Sequence, residues 1–310
     1  MQILVSGSMA YDRIMSFPGS FSDHILPDKI HMLNISLLVD GLDERFGGTA
    51  GNIAYALSLF SEKSVILGTV GKDFDVYEKW LSRHNVELNG LKRIDSDFTA
   101  SAYITTDKSN NQITWFNLGA MKFACDYDFS AVDAKDTLAI VSPGNLEDMQ
   151  NFPEIYRDKG VSFIFDPGQN IPAFSGEQLL GMIKGCKILV ANDYELEMIM
   201  KSTEKTRDEL MEICESIIVT LGEKGCLVVE KSGETAVPAA KVDVVKDPTG
   251  AGDAFRAGLI KGISMGKNLV ESAHIGAVSA VYCVEQLGTQ EHSYTEDEFW
   301  ARYKSNFGEV

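Results

Sequence analysis

The chain has 310 residues, 45% of them hydrophobic, enough to bury the core of one large α/β domain or two smaller ones. Its 45 acidic and 28 basic residues leave a formal charge of −17. A field of that sign repels nucleic acid and anionic membrane surfaces within a Debye length of ~8 Å, so neither is expected as a partner, and a phosphate ligand needs a local positive pole.

Cys125, Cys186, Cys214, Cys226 and Cys283 are scattered, odd in number and free of any C-x-x-C pair. They read as reduced thiols, neither a disulfide framework nor a zinc cluster. The opening MQILVSGSMAYD has no cationic leader and too short an apolar run for a signal core, typically ~7–15 residues. No stretch reaches the ~18 apolar residues of a membrane span, and a cytoplasmic location is expected.

The first strand is predicted at 2–8 (QILVSGS). Residues 13–45 then carry Pro, Gly and His interruptions around period-two runs such as HMLNISLLV at 31–39. A helix-like segment at 50–60 and a strand at 64–71 return to the core pattern, and 99–107 with 112–119 form an antiparallel-looking pair. Segments 13–45 and 99–120 are expected to build a small β lid. From 137 onward short apolar runs (TLAIVSPG, VSFIFDPG, KILVAND, SIIVTLG) alternate with amphipathic ones, the βαβ rhythm of a mostly parallel sheet covered on both faces. Strands at 225–231 and 235–241, helices at 252 to about 266 and 268 to about 286, and a last helix at 295–307 complete the chain. Nothing marks a linker or repeat, and one domain over 1–310 is expected.

The most informative segment is DPTGAGDAF at 247–255, a loop running into an apolar helix. Gly250 and Gly252 let the backbone turn so that several amides point one way at the helix's positive end, supplying the missing pole for a phosphate. Asp253 beside it can take a proton from an attacking alcohol while the amides of 250–252 stabilise phosphoryl charge. Read alone, Asp253 is more readily an ordinary N-cap and the glycines a turn.

DPTGAGDAF resembles the C-terminal signature of the ribokinase-like (PfkB) kinases, and FGGTAGN at 46–52 resembles their N-terminal one. GSMAYD at 7–12, NDYE at 192–195, similar to the family's N-x-x-E motif, and TLGEKG at 220–225 follow the family's order. The resemblance implies a three-layer α/β/α core with a mostly parallel central sheet and a small β-sheet lid. It implies ATP and Mg²⁺ as cofactors, with K⁺ as a further candidate, and Asp253 as catalytic base beside Gly250, Ala251 and Gly252. Asp12, Gly47, Gly48 and Asn52 would hold the acceptor's hydroxyls. Asn192, Thr220, Gly222 and Gly225 would line ATP, part of 273–284 would wall its adenine, and Asn192 with Glu195 would organise Mg²⁺ through water. Asp247, Thr249 and the 285–290 loop are candidates for a monovalent cation. Taken alone, Asp12 is a turn former and Glu195 a surface charge.

The segments at 24–36, 69–74, 104–121, 165–169 and 285–292 resemble the nucleoside kinases of the family, including bacterial adenosine kinase-like proteins. Adenosine phosphorylated on its 5′-hydroxyl is therefore the expected reaction, with a sugar as the alternative acceptor and a non-catalytic nucleoside sensor as the remaining reading. A base needs an apolar surface, for which Phe17, Trp115, Phe116 and Met121 are the lid candidates, although alternation leaves only half of such residues on one face. Arg13, Lys29 and Arg45 form no clustered clamp for a phosphorylated sugar. Arg256 departs from the small polar residue usual in ribokinases and is read as a phosphate contact or a helix-surface cap. The exposed lid edges are expected to allow a homodimer.

Overall fold

Alternation along an extended strand sends Ile3 and Val5 to one face and Leu4 to the other, and all three are fully buried. Such a strand needs cover on both sides. The computed structural model, which describes residues 1–25 and 27–309, supplies it. Leu26, inside the expected 13–45 segment, and Val310, at the end of the expected 1–310 unit, lie outside the described residues.

In chain order the elements are β1 (Gln2–Ser6), β2 (Ala10–Ser16), β3 (Gly41–Gly47), α1 (Thr49–Leu59), β4 (Ser64–Gly71), α2 (Asp75–Arg83), β5 (Leu91–Ile94), β6 (Ala100–Thr106) and β7 (Gln112–Asn117). They continue with β8 (Thr137–Val141), α3 (Leu146–Lys159), β9 (Ser162–Phe165), α4 (Gly176–Ile183), β10 (Ile188–Asn192), α5 (Asp193–Thr203) and α6 (Arg207–Met211). The last are β11 (Ser216–Thr220), β12 (Cys226–Glu230), β13 (Gly233–Val237), α7 (Ala251–Ser264), α8 (Leu269–Val284) and α9 (Glu296–Phe307).

The large sheet runs β13-β12-β11-β10-β9-β8-β1-β4-β5 and is parallel except at β11–β12 and β12–β13. Ile3 and Val5 pack with α1, α2, α7 and α8 on one face; Leu4 packs with α3, α4, α5 and α6 on the other. This is the expected three-layer core. Strand order reverses between β1 and β8, the switch point where ligands bind outside strand C-termini in open α/β sheets. Among the described residues, no helix is long and apolar enough to cross a membrane.

A separate four-stranded sheet runs β3-β2-β6-β7. The period-two run at 31–39 forms no strand: a 3₁₀ segment, Pro27–Met32, gives way to irregular chain with Leu33 and Leu38 exposed. Alternation signals a strand only where a neighbour pairs with it, and the partner of β2 is instead GLDERFG at 41–47.

Between the two sheets the chain reverses at Gly48, φ +88°, where a Cβ would stand 2.5 Å from the Ser8 carbonyl oxygen. Only glycine accepts both the left-handed conformation and that approach. Gly48→Ala is expected to lower stability by about 3 kcal/mol or more in chemical denaturation. A near-native midpoint would contradict the close approach of β3's end to the chain after β1.

Candidate active site

The segment after β13 enters α7 through Gly250, φ +80°, where a Cβ would meet the Thr289 side chain at 2.8 Å. Asp247 shapes the approach by accepting from the Thr249 amide at 2.9 Å and the Gly288 amide at 3.0 Å. Despite partial burial, those bonds and Arg45 hold its carboxyl below the usual range. No side chain caps α7, and the Gly252 and Asp253 amides have no acceptor among the described residues. Together with the helix dipole they form a positive pole suited to a phosphate.

Asp253 lies in the first turn of α7. Loss of water pushes its pKa up to about 6; Arg256 and Asn52 pull it down, Asp166 and Asp12 add to the rise. The Asn52 Nδ2 donates to Asp253 Oδ2 at 2.8 Å, joining the two signature segments across 201 residues. Arg256 is not a helix-surface cap: it is 7% exposed and ion-paired with Asp166, itself 2% exposed, in the loop after β9. A Cβ on Gly252 would fall 2.6 Å from Arg256 Nη1, so the guanidinium lies against the first turn of α7. A fixed positive charge thus reinforces the pole.

Asp12 on β2 lies against Gly47, where a Cβ would stand 2.6 Å from its Oδ2. Burial raises its pKa, Asp247 adds to this and Arg45 opposes it. Asp12, Gly47, Gly48, Asn52 and the 250–253 turn are therefore brought together, and Asp12, Asp247 and Asp253 are close enough to influence one another's or shared neighbours' ionisation. Asn52, expected only against the acceptor, spends its amide mostly on protein: Oδ1 accepts from Gln290 Nε2 at 3.0 Å and one Nδ2 proton goes to Asp253. One N–H remains for a hydroxyl. Gln290 was visible in the sequence as the end of a candidate cation loop and as part of the 285–292 segment, with no role of its own, and Trp80 and Tyr77, which bind it, carried no signal at all.

Asn192 and Glu195 form a reciprocal cap on α5, Asn192 Oδ1 accepting at 2.7 Å and Glu195 Oε2 at 2.8 Å. Asn192 pairs in register with Thr220, and Asp166 follows the adjoining strand β9, so all three stand at neighbouring strand ends. Glu195 faces the Asp166–Arg256 pair. Asp166 Oδ1 is buried and, among the described residues, has no hydrogen-bond partner. Among the described residues, no three His, Cys, Asp or Glu side chains converge as a metal cage. Sparse carboxylate oxygens of this kind fit Mg²⁺, which keeps waters and leans on phosphates rather than on an all-protein shell.

Gly222 takes φ +58° in the turn after β11. Gly225 has a packing reason of its own, since a Cβ there would stand 2.1 Å from the Val237 carbonyl. No hydrogen bond links either glycine to the Asp253 cluster among the described residues. Helix α8, expected to wall the adenine, is largely buried, with Gly276 in close contact with Gly258 of α7.

Comparison with known proteins matches residues 13–296 to the family described as pfkB family carbohydrate kinase. The nucleoside kinase of Methanocaldococcus jannaschii is 32% identical over 276 residues, covering 88% of this chain and 90% of that relative. The structure of Burkholderia thailandensis nucleoside kinase in complex with inosine is similar with a TM-score of 0.84 and 36% identity, over 99% of this chain and 98% of that one. The same kinase in complex with ADP-inosine gives a TM-score of 0.82 and 37% identity, over 99% and 96%. With both signature segments meeting at one aspartate, the chain belongs to the pfkB family of carbohydrate kinases and is a phosphotransferase acting on an alcohol group.

Proposed function

We propose that the protein transfers the γ-phosphoryl group of ATP to the 5′-hydroxyl of a purine nucleoside, adenosine first among them. The observation that carries this acceptor is the register of the small sheet. Asp12 pairs with Arg45 on one side and Ala102 on the other, and Ala102 pairs with Phe116. Paired residues share a face, so Phe116 stands on the same face as Asp12, and Ile14 and Ile104 continue that face. Trp115 pairs with Tyr103 and belongs to the opposite face, while Phe17 is buried in a stack with Phe21. One carboxylate for ribose hydroxyls beside an apolar surface with a half-exposed Phe116 suits a nucleoside better than a bare sugar. The inosine and ADP-inosine complexes of the Burkholderia kinase support the same reading.

In the proposed step Asp253 accepts the hydroxyl proton, held by Asn52 at one oxygen. The free Gly252 and Asp253 amides of the 250–253 turn and Arg256 stabilise charge on the transferred group. Asp12 orients the sugar, and the small sheet excludes water from the cleft. Mg²⁺, organised through water by Glu195, Asn192 and Asp166, would supply further neutralisation of phosphate charge.

ADP release measured with adenosine, inosine, ribose and fructose is expected to favour the nucleosides, and Asp253→Asn to lower kcat by roughly 10²–10⁴-fold. Fast turnover of ribose without nucleosides would replace the acceptor; nucleoside binding without any turnover would favour a sensor. Phe116→Ala is expected to raise the nucleoside KM roughly tenfold with kcat little changed. An unmoved KM removes Phe116 from the base site.

Stability supplies an independent check. The folded pKa of Asp253, about 6, exceeds its ordinary 3.8, so between these values the folded chain holds more protons and stability falls as pH rises. Above that window the ionised carboxylate costs on the order of 2 kcal/mol after allowance for its partial exposure. Asp253→Asn should therefore unfold at higher temperature than the native protein near pH 8, with the gap closing as pH falls to about 4. A pH-independent gap would contradict the burial of an ionised base.

A further inference from the structure

Behind Asn52 lies a chain of hydrogen bonds whose direction is set by chemistry. The Trp80 indole nitrogen can only donate, and it donates to Gln290 Oε1 at 3.0 Å. The other end of that amide is therefore its NH₂ group. One of its protons goes to Asn52 Oδ1 at 3.0 Å and the other to the Tyr77 hydroxyl, which donates in turn to the Gly47 carbonyl at 3.0 Å. With Oδ1 of Asn52 engaged as an acceptor, its Nδ2 faces Asp253 Oδ2 at 2.8 Å.

We propose that Trp80 and Gln290 are positioning residues for phosphoryl transfer: the one-way chain from indole to Asn52 keeps an N–H on Asp253 Oδ2 and leaves Oδ1 to receive the acceptor's proton. The inference rests on Asp253 being the base. Gln290 is 2% exposed, Tyr77 fully buried and Asn52 6% exposed, so water does not substitute for a missing link. Trp80 is stacked between Phe46, at 5.7 Å, and Tyr55, at 5.9 Å, which fixes the indole. Reversing the Gln290 amide would oppose donor to donor at Trp80 and acceptor to acceptor at Asn52, leaving buried polar groups unpaired at both ends.

The charged and titratable groups facing Asp253 are Arg256 on its own helix, Asp166 after β9, Asp12 on β2, Tyr77 on α2 and Cys283 on α8. None is removed by substitution at 80 or 290: Trp80→Phe touches none of them, and Gln290→Met takes one donor from the Tyr77 hydroxyl, which keeps its bond to the Gly47 carbonyl. A changed acid limb in those variants thus reports the Asn52 N–H, whose loss makes the base harder to ionise.

The test measures ADP release with a nucleoside acceptor across roughly pH 5 to 9 for the native protein, Trp80→Phe, Gln290→Met and Asp253→Asn. Trp80→Phe keeps a ring in the stack and removes only the donor; Gln290→Met keeps the shape and removes the amide's donor and acceptor. The expected results are kcat lower by roughly tenfold in Trp80→Phe and thirtyfold in Gln290→Met, an unchanged KM for ATP, and acid limbs of kcat/KM displaced upward by about half a pH unit or more. Native acid limbs in soluble Trp80→Phe and Gln290→Met, with Asp253→Asn inactive, overturn the chain and leave the base standing. Should Gln290→Met fail to fold, the limb of Trp80→Phe decides. Native turnover in Asp253→Asn overturns the base and the chain together.

Discussion

Holding an ionisable carboxylate at the mouth of a helix that, in the proposed reaction, also receives phosphate is the constraint on which the rest of the site depends. Both groups are anionic and both are served by the same positive end of α7. Desolvation raises Asp253 to about 6, close enough to neutrality to accept a proton and still be ionised above that pH. Had the dipole been the only positive charge, Asp12 and Asp166 would drive the pKa further up. Arg256 prevents that from within the same helix, one turn on, in a protein whose overall charge is −17.

That requirement accords with the loop after α8 touching both signature segments. Gly288 donates to Asp247 at the start of one signature, Thr289 Oγ1 donates to the Phe46 carbonyl at the start of the other, and Gln290 binds Asn52. The two signatures come from opposite ends of the chain and meet only because β3 is anchored to the Ser8 carbonyl region through Gly48 while α7 packs under α1. A carboxylate placed at this junction is aligned by the packing of both sheets, so its geometry is a property of the fold rather than of one loop.

The layered core was legible because its strands are buried on both faces and its helices carry apolar stripes, signals that survive without knowledge of neighbours. Helices α7, α8 and α9 begin and end within two residues of where periodicity puts them. The small sheet was less legible. Strand β3, GLDERFG, is charged because it is an exposed edge, whereas the leucine-rich 31–39 segment looks like a strand and has no partner. Alternation in β7 separates Trp115 from Phe116, yet only pairing with β6 says which shares the face of Asp12. Gln290 and Trp80 are single residues on elements far apart in sequence, and their meaning exists only in the contact between them.

Arg256 shows how one departure from a family pattern can be absorbed. A fully buried guanidinium is costly by itself, and its cost is met by Asp166, whose own carboxylate is as deeply buried and would be unsupported without it. The pair is therefore electrostatically neutral until a phosphate or a further cation arrives, leaving Asp166 Oδ1 as unspent acceptor capacity on one side and the guanidinium against Gly252 on the other. Gly252 then has two reasons to lack a side chain: in the proposed reaction its amide reaches an anion, and Arg256 Nη1 stands 2.6 Å from where a Cβ would be. The glycine and the arginine four residues later are one feature of the sequence, because neither can be exchanged without displacing the positive charge on which Asp253 relies.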